Sequence, residues 1–412
     1  MEMSKKERIK RSILIIIIMV IACTSIISAR QRRINKEKDE NQEIKIMKEY
    51  NADIIKTTFK EENYLISPYN IKIALNMLKE GADGNTKDEI EKVIGKEKIS
   101  DINIKNKLAV ANAVFIKNEF KPKVKKEFTN TLKDKYQGEI IYDDFKTPKV
   151  INDWVKEKTN GMIDKVLDRI KENTVVGIAS ALALDINWVS PFNCIDTIEE
   201  EFTKINNSKI KVEMMHQVYE SHAKYIKNEE AEGIIIPYDT DVDNIELEFI
   251  GILPKNKVTD YVRNIDLNKI NNLIKNTREA SEKLHVNLSL PRFSYSYEVN
   301  DFIASLKKMG INDVFNSELS NLSRISDSES VLYVGDAIHK TKIELYEDGT
   351  KASATTFFGV MYKGMSIAQD YEEINLKFNK PFVYMIREKN TGEILFFGTV
   401  YEPNIWNGNT CH

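Results

Sequence analysis

The strongest constraint on this chain lies near its C-terminus. Ile338-His339-Lys340 leads into Ile343-Glu344-Leu345-Tyr346-Glu347-Asp348-Gly349-Thr350, and then into the small polar run Ala352-Ser353-Ala354-Thr355-Thr356. After a stretch without pattern come Asn379-Lys380-Pro381-Phe382-Val383-Tyr384-Met385-Ile386 and Ile394-Leu395-Phe396-Phe397-Gly398. The order is strand, small-residue hinge, open loop, buried strand, buried strand. A loop meant to stay a loop is usually rich in Gly and Pro. This one begins with β-tolerant small residues that a sheet could accept without steric conflict. Such a segment has two possible homes.

Length and composition narrow the rest. The chain has 412 residues, enough for a large core, and no Pro/Gly/Ser linker or internal repeat after about residue 50. One large domain is the simplest reading. A formal charge of −3, with Lys and Glu interspersed, argues against a nucleic-acid surface. Cys23, Cys194 and Cys411 have no framework spacing, so a disulfide scaffold is not expected. Five scattered histidines and the lack of CxxC, HExxH, GxxxxGK[ST] and GxSxG leave no metal, nucleotide or hydrolase signature.

The N-terminus reads as a targeting device. Lys5, Lys6, Arg8, Lys10 and Arg11 precede an apolar run from Ser12 to Ala22, as in a signal sequence. Val20-Ile21-Ala22-Cys23 resembles a bacterial lipobox, in which Cys23 carries the lipid. The competing readings are an uncleaved helix from Ser12 to about Ala29, close to the length a membrane span needs, and simple secretion. The first two predict a domain tethered to the extracellular face of the cytoplasmic membrane. The expected division is 1–22 signal or anchor, 23–42 flexible tether, and 43–412 folded domain.

Local patterns predict the elements of that domain. Ile71, Ala74, Leu75 and Leu78 fall on one helical face, with Pro68 in the first turn and Gly81 as C-cap. Thr86 and Glu89 have capping-box spacing for a second helix. Leu108–Ile116, Val175–Trp188, Ile245–Leu253 and Lys283–Leu290 read as strands. Ile151–Ile170 and Phe302–Met309 read as helices, with Trp154 and Val155 toward the core. Helices, then strands mixed with helices, give an α+β domain around a large sheet.

The ordered motifs closely resemble the serpin family. Glu347-Asp348-Gly349-Thr350 with Ala352 to Thr356 is similar to the serpin hinge, and Asn379-Lys380-Pro381-Phe382 and Leu395-Phe396-Phe397-Gly398 to its C-terminal strands. Asn63-Tyr64-Leu65-Ile66-Ser67-Pro68, Gly81-Ala82-Asp83-Gly84-Asn85-Thr86, Ala111-Asn112-Ala113-Val114-Phe115, Trp188 with Pro191-Phe192, Pro237-Tyr238 and Leu290-Pro291-Arg292-Phe293 extend the resemblance over most of the chain. It implies a large central β-sheet with two further sheets, about eight helices, and an exposed reactive-centre loop at about 347–370. Only about fifteen residues separate Ile94-Gly95 from Ala111-Asn112. The helix that binds heparin in some serpins is therefore expected to be short or absent, and no cofactor is expected.

The resemblance also implies a mechanism and its residues. An inhibitory serpin is a monomer that a serine protease cleaves in the loop, forming a covalent acyl-enzyme. The freed hinge then inserts into the main sheet. Gly349 lets the backbone turn inward. Thr350, Ala352, Ala354 and Thr356 then face the body of the domain, and Lys351, Ser353 and Thr355 face outward. With Glu347 as the seventeenth residue before the cut, the scissile bond is Lys363-Gly364, suited to a trypsin-like protease. Met365-Ser366 and Tyr362 are the alternatives. Ser67, Asn70, Ser180 and His339 fall where the family holds its sheet shut, and Trp188 where insertion begins. Family members more often have Ser at the place of Asn70 and Asn at that of Ser180. An exchange that preserves the hydrogen-bond network is expected. Leu184-Asp185-Ile186 stands where the family commonly has Phe-Lys-Gly, which leaves the local turn open. A non-inhibitory surface binding protein and an inhibitor of cysteine proteases are the alternative functions. No catalytic triad is visible.

Overall fold

The computed structural model describes residues 30, 33, 38 and 42–403, apart from 97–101, 106, 243, 328–330 and 351–370. The apolar N-terminal segment, Cys23, nearly all of the tether and the loop beyond Thr350 lie outside the described residues. No helix among the described residues is long and apolar enough to cross a membrane.

The chain opens with α1 (42–58), β1 (Tyr64–Ile66), α2 (Pro68–Gly81) and α3 (Gly84–Ile94). Next come β2 (Leu108–Lys117), α4 (Lys126–Tyr136), β3 (Glu139–Asp143), α5 (Lys149–Lys158), β4 (Val176–Leu184) and β5 (Ile186–Asn187). A strand-rich middle follows: β6 (Ile198–Thr203), β7 (Lys209–Tyr219), β8 (Lys224–Lys227), β9 (Ala231–Pro237) and β10 (Leu247–Pro254). Then come α6 (Val258–Arg263), α7 (Leu267–Lys275), β11 (Thr277–Glu279), β12 (Leu284–Pro291), β13 (Phe293–Glu298) and α8 (Phe302–Lys308). The described chain ends with β14 (Lys340–Leu345), β15 (Gly349–Thr350), β16 (Glu372–Lys377), β17 (Phe382–Glu388) and β18 (Ile394–Val400).

A seven-stranded sheet in the order β1-β18-β17-β10-β9-β8-β11 forms the interior. All of β10 and β18 is buried, which explains their largely apolar sequences; the buried Glu248 of β10 is paired with Arg387. Gly398 is a packing requirement. A Cβ there would come within 2.5 Å of the Tyr384 ring. Tyr384 and Tyr295 share a hydroxyl–hydroxyl bond of 2.7 Å, and Tyr295 also donates to the carbonyls of Tyr64 and Thr399. A second sheet runs β16-β12-β7-β6.

The expected main sheet is divided in two. One part runs β13-β14-β15-β5 and the other β3-β2-β4. The two share the run 176–187, interrupted at Asp185, whose N–H still bonds the Lys107 carbonyl at 2.7 Å, one step beyond the β2–β4 register, before Ile186 pairs with Thr350. That is the local turn the sequence left open. Alternation along β4 separates two cores. Ile178 and Leu182 join the main core beneath α2, whereas Ala179 and Ala181 pack with Phe115 and Trp154 on the α5 side.

Four expectations change. Gly81 ends α2 without left-handed geometry. A Cβ there would lie 2.4 Å from the Ile325 side chain, so glycine admits a neighbour rather than capping the helix. Thr86 and Glu89 do not form a capping box, because α3 starts earlier, at Gly84. The Thr86 hydroxyl accepts from the Asn321 N–H, and Glu89 accepts from the N–H groups of Asn312 and Asp313. The polar pair pins a distant segment instead. The helix expected over Ile151–Ile170 stops at Lys158, because Asn160 and Gly161 take positive φ of 50° and 76°. Val175–Trp188 is two strands rather than one. Between Gly95 and Leu108 none of the described residues is helical.

Candidate functional site

The hinge closes a tight turn. Tyr346 N–H donates to Gly349 O at 3.0 Å, and Gly349 N–H to Tyr346 O at 3.2 Å. This turn sends Gly349–Thr350 back antiparallel to β14, so that β15 lies between β14 and β5. The strands approach so closely that a Cβ on Gly349 would sit 2.0 Å from the Ile186 carbonyl oxygen. Glycine is therefore required here by proximity, in addition to any freedom of the turn.

Aromatic residues clamp this turn. Thr350 is 2% exposed, and its hydroxyl lies 2.6 Å from that of Tyr238. The Tyr238 ring stacks on Trp188 with centroids 4.5 Å apart. Trp188 holds the turn twice, by Nε1–H to Tyr346 O at 3.1 Å and by its backbone N–H to Asp348 O at 2.8 Å. Phe192 N–H donates to Glu347 O at 2.9 Å.

Beneath the turn is a buried ion pair. Arg292 Nε lies 2.7 and 2.8 Å from the two carboxylate oxygens of Glu347, and Nη2 lies 2.5 Å from Oε1. The side chains are 4% and 5% exposed. Glu213 sits 3.2 Å from Arg292 Nη1, and the Thr197 hydroxyl also bonds Glu347. Two charges buried this deeply are tolerated because almost every polar atom has a partner. Burial pushes the neighbouring Asp348 carboxyl up, and the Glu347 charge pushes it further; Arg292 opposes both. The sequence contained both residues in recognised motifs but gave no sign that they meet. Cys194, in the turn beside Arg292, is disulfide-bonded.

Lower down, α2 meets the chain before β14. Ser67 caps α2 by accepting from the Asn70 N–H at 3.2 Å. The Ser67 N–H donates to His339 Nε2 at 3.0 Å. His339 is therefore a neutral acceptor, and burial pushes its pKa down to about 3. The Thr341 hydroxyl adds a 2.9 Å bond to Leu65 O. Ser180 does not join this group. It stands mid-strand opposite Asn112, and its buried hydroxyl has no hydrogen-bond partner among the described residues. No bond links the Asn70 side chain to Ser180 there, so the exchanged residues do not rebuild a direct contact.

The edge of β4 facing away from β2 pairs with no strand among the described residues, and residues 331–339 belong to no strand. The hinge thus stands at the head of an open slot. The remaining hinge positions, Ala352, Ser353, Ala354, Thr355 and Thr356, and the candidate reactive residues Tyr362, Lys363, Gly364, Met365 and Ser366 lie outside the described residues. Among the described residues no group of acidic, Cys and His side chains could hold a metal ion.

Comparison with known proteins agrees with this architecture. The pattern of the serpin (serine protease inhibitor) family matches residues 45–403. An uncharacterised serpin-like protein of Thermococcus kodakarensis is 30% identical over 89% of this chain and 87% of its own. The native state of the thermophilic serpin Tengpin superposes with a TM-score of 0.75 at 30% identity, covering 87% of this chain and 94% of that one. Its latent state gives 0.72 at 28% identity, covering 88% of this chain and 98% of that one. Serpins are generally protease inhibitors that act on target proteases rather than enzymes in their own right. With the hinge, the buried pair beneath it and a family match over most of its length, the chain belongs to the serpin family.

Proposed function

We propose that this serpin is an irreversible suicide-substrate inhibitor of extracellular serine proteases, with a trypsin-like enzyme as the favoured target. One observation carries the reading. Gly349 and Thr350 already occupy the head of the slot, and below them no strand among the described residues pairs with the facing edges of β14 and β4.

Extending the observed register shows what insertion would do. Thr350 faces Ile186, so each residue gained on the hinge meets one lost on β4. Ala352 would face Leu184, Ala354 would face Leu182, and Thr356 would face Ser180. The small side chains fit the inward face, and the orphan Ser180 hydroxyl would gain a threonine partner across the strands. Each inserted residue also pairs backbone groups of β4, so insertion lowers the free energy.

The chemistry begins at the loop. The protease serine oxygen attacks the Lys363 carbonyl carbon. The bond to the Gly364 nitrogen breaks, the amine leaves with a proton, and Lys363 remains as an ester on the enzyme. Insertion then draws the bound protease along before water can cleave that ester. Met365-Ser366 is the alternative bond. A relative solved in both native and latent states supports a fold with more than one resting form. The N-terminal segment would tether the inhibitor outside the cytoplasmic membrane, through lipid on Cys23 or through an uncleaved anchor.

Mixing the domain with trypsin tests the proposal. A covalent complex that survives boiling in SDS is expected, with a released fragment whose mass places the cut after Lys363. Clean cleavage without a covalent band would point to a non-inhibitory binding protein instead.

A further inference from the structure

We infer that Ser289 is a nucleophile that accepts acyl groups from small activated esters, with His216 as its base. This inference does not rest on the inhibitory reading. Adjacent strands bring the groups together. Ser289 of β12 stands opposite His216 of β7 on one side and Lys377 of β16 on the other. Residues opposite one another share a face of the sheet. Glu200 of β6 reaches the same cluster, so the set is spread over four strands and no spacing in the sequence marks it.

The distances assign the roles. Ser289 Oγ lies 3.1 Å from His216 Nδ1. His216 Nε2 lies 3.4 Å from Glu200 Oε1 and makes no hydrogen bond among the described residues. A neutral imidazole carries its proton on one nitrogen. A proton on Nδ1 would leave the Nε2 lone pair facing the carboxylate. A proton on Nε2 faces that negative charge instead, and it leaves Nδ1 to accept from the serine hydroxyl. Glu200 thus selects the tautomer that activates Ser289. Lys377 Nζ lies 2.5 Å from Glu200 Oε2 and holds the carboxylate from its other side. Nucleophile, base and orienting carboxylate follow the order of an acyl-transfer site.

A place for the substrate adjoins them. A shallow cavity of about 260 Å³ is lined by His216, Ser289, Asn287, Asn375 and Lys377. Pockets for drug-sized ligands run from about 300 to 1,000 Å³, so this one suits a short acyl ester. The Asn287 amide donates to Asn375 Oδ1 at 3.0 Å. That leaves the Asn375 amide hydrogens for the substrate's carbonyl oxygen, where negative charge develops. The exposed Val218 adds an apolar wall. In the reaction, Ser289 Oγ bonds to the ester carbonyl carbon as its proton passes to His216 Nδ1. The bond from that carbon to the alcohol oxygen breaks, and the alcohol leaves with the proton. The acyl group remains on Ser289 until water hydrolyses it.

The full-length protein mixed with p-nitrophenyl acetate, with no protease present, tests the site. Peptide mapping should find an acetyl group on Ser289. Ser289→Ala should abolish that label, and His216→Gln should slow its appearance about a hundredfold or more. Glu200→Gln should slow it about tenfold or more. Glu200→Asp, which keeps the charge, should recover part of the rate, as a purely structural role would not require. Acetyl groups found only on lysines or the N-terminus would overturn the inference. So would equal labelling of Ser289 in the parent protein and in His216→Gln.

Discussion

Arg292 and Glu347 meet in a buried, doubly hydrogen-bonded pair, with Nε 2.7 and 2.8 Å from the two carboxylate oxygens. Glu347 opens the hinge, so this contact ties the start of the loop to the strand connection after β12. Removing Arg292 leaves Glu347 buried without a counterion, and removing Glu347 leaves Arg292 only the more exposed Glu213 at 3.2 Å. Arg292→Met and Glu347→Gln should each lower stability by about 3–5 kcal/mol. Thermal melts would show it, together with polymer on native gels as the slot head opens. A melt indistinguishable from the parent protein would remove the pair from any role in holding the hinge.

Gly349→Val should expel the hinge from the slot. The added side chain begins 2.0 Å from the Ile186 carbonyl oxygen, a backbone atom that cannot step aside alone. The variant is expected to be cleaved by trypsin as a substrate, with more inhibitor consumed per protease trapped. A stoichiometry of inhibition equal to that of the parent would contradict this role.

Ser180→Ala separates the two states. This hydroxyl is buried without a partner among the described residues, so its removal should be neutral or stabilising in the native protein, by up to about 1–3 kcal/mol. In the cleaved, inserted form proposed above, the same change would remove the contact with Thr356. The gap in Tm between native and cleaved protein should therefore shrink. An unchanged gap would rule out the extended register.

His339 makes stability acid-sensitive. Its native pKa is lowered from 6.5 to about 3 by burial. Between those values the unfolded chain binds more protons than the native protein. Its contribution is thus complete above pH 6.5 and is lost as pH falls toward 3. His339→Gln keeps an acceptor for the Ser67 N–H but does not titrate. Its Tm should fall less steeply than the parent's below pH 6.5, and parallel curves would disprove the assignment.

Asp348 has the opposite sign. Its raised native pKa means that the charged form is penalised in the folded state at neutral pH, while below the ordinary carboxyl range the penalty disappears. Asp348→Asn should be more stable at pH 7, by under about 1 kcal/mol for so accessible a group. The advantage should close as the pH is lowered through the native pKa of Asp348. A constant difference across pH would mean that another effect is responsible.

Much of the fold was legible because it rests on local rules. The apolar runs of β10, β17 and β18, the capped start of α2 at Ser67-Pro68 and the inward-facing Trp154 all follow from period, burial and capping. Boundaries failed where a residue answered to a distant neighbour. Thr86 and Glu89 have helix-start spacing, yet their acceptors are taken by residues 312–321. Gly81 resembles a cap but makes room for Ile325.

The hinge motif, its small alternating residues and the family to which they belong were determined by the sequence alone, because those constraints act along one strand at a spacing of two. That Glu347 would find Arg292, that Trp188 and Tyr238 would clamp Thr350, and that Ser180 would be left without a partner was decided only by tertiary structure. These contacts join residues 55 to 158 positions apart. Side-chain chemistry states what each can bond, but only the packing of sheets and turns determines which partners come within reach.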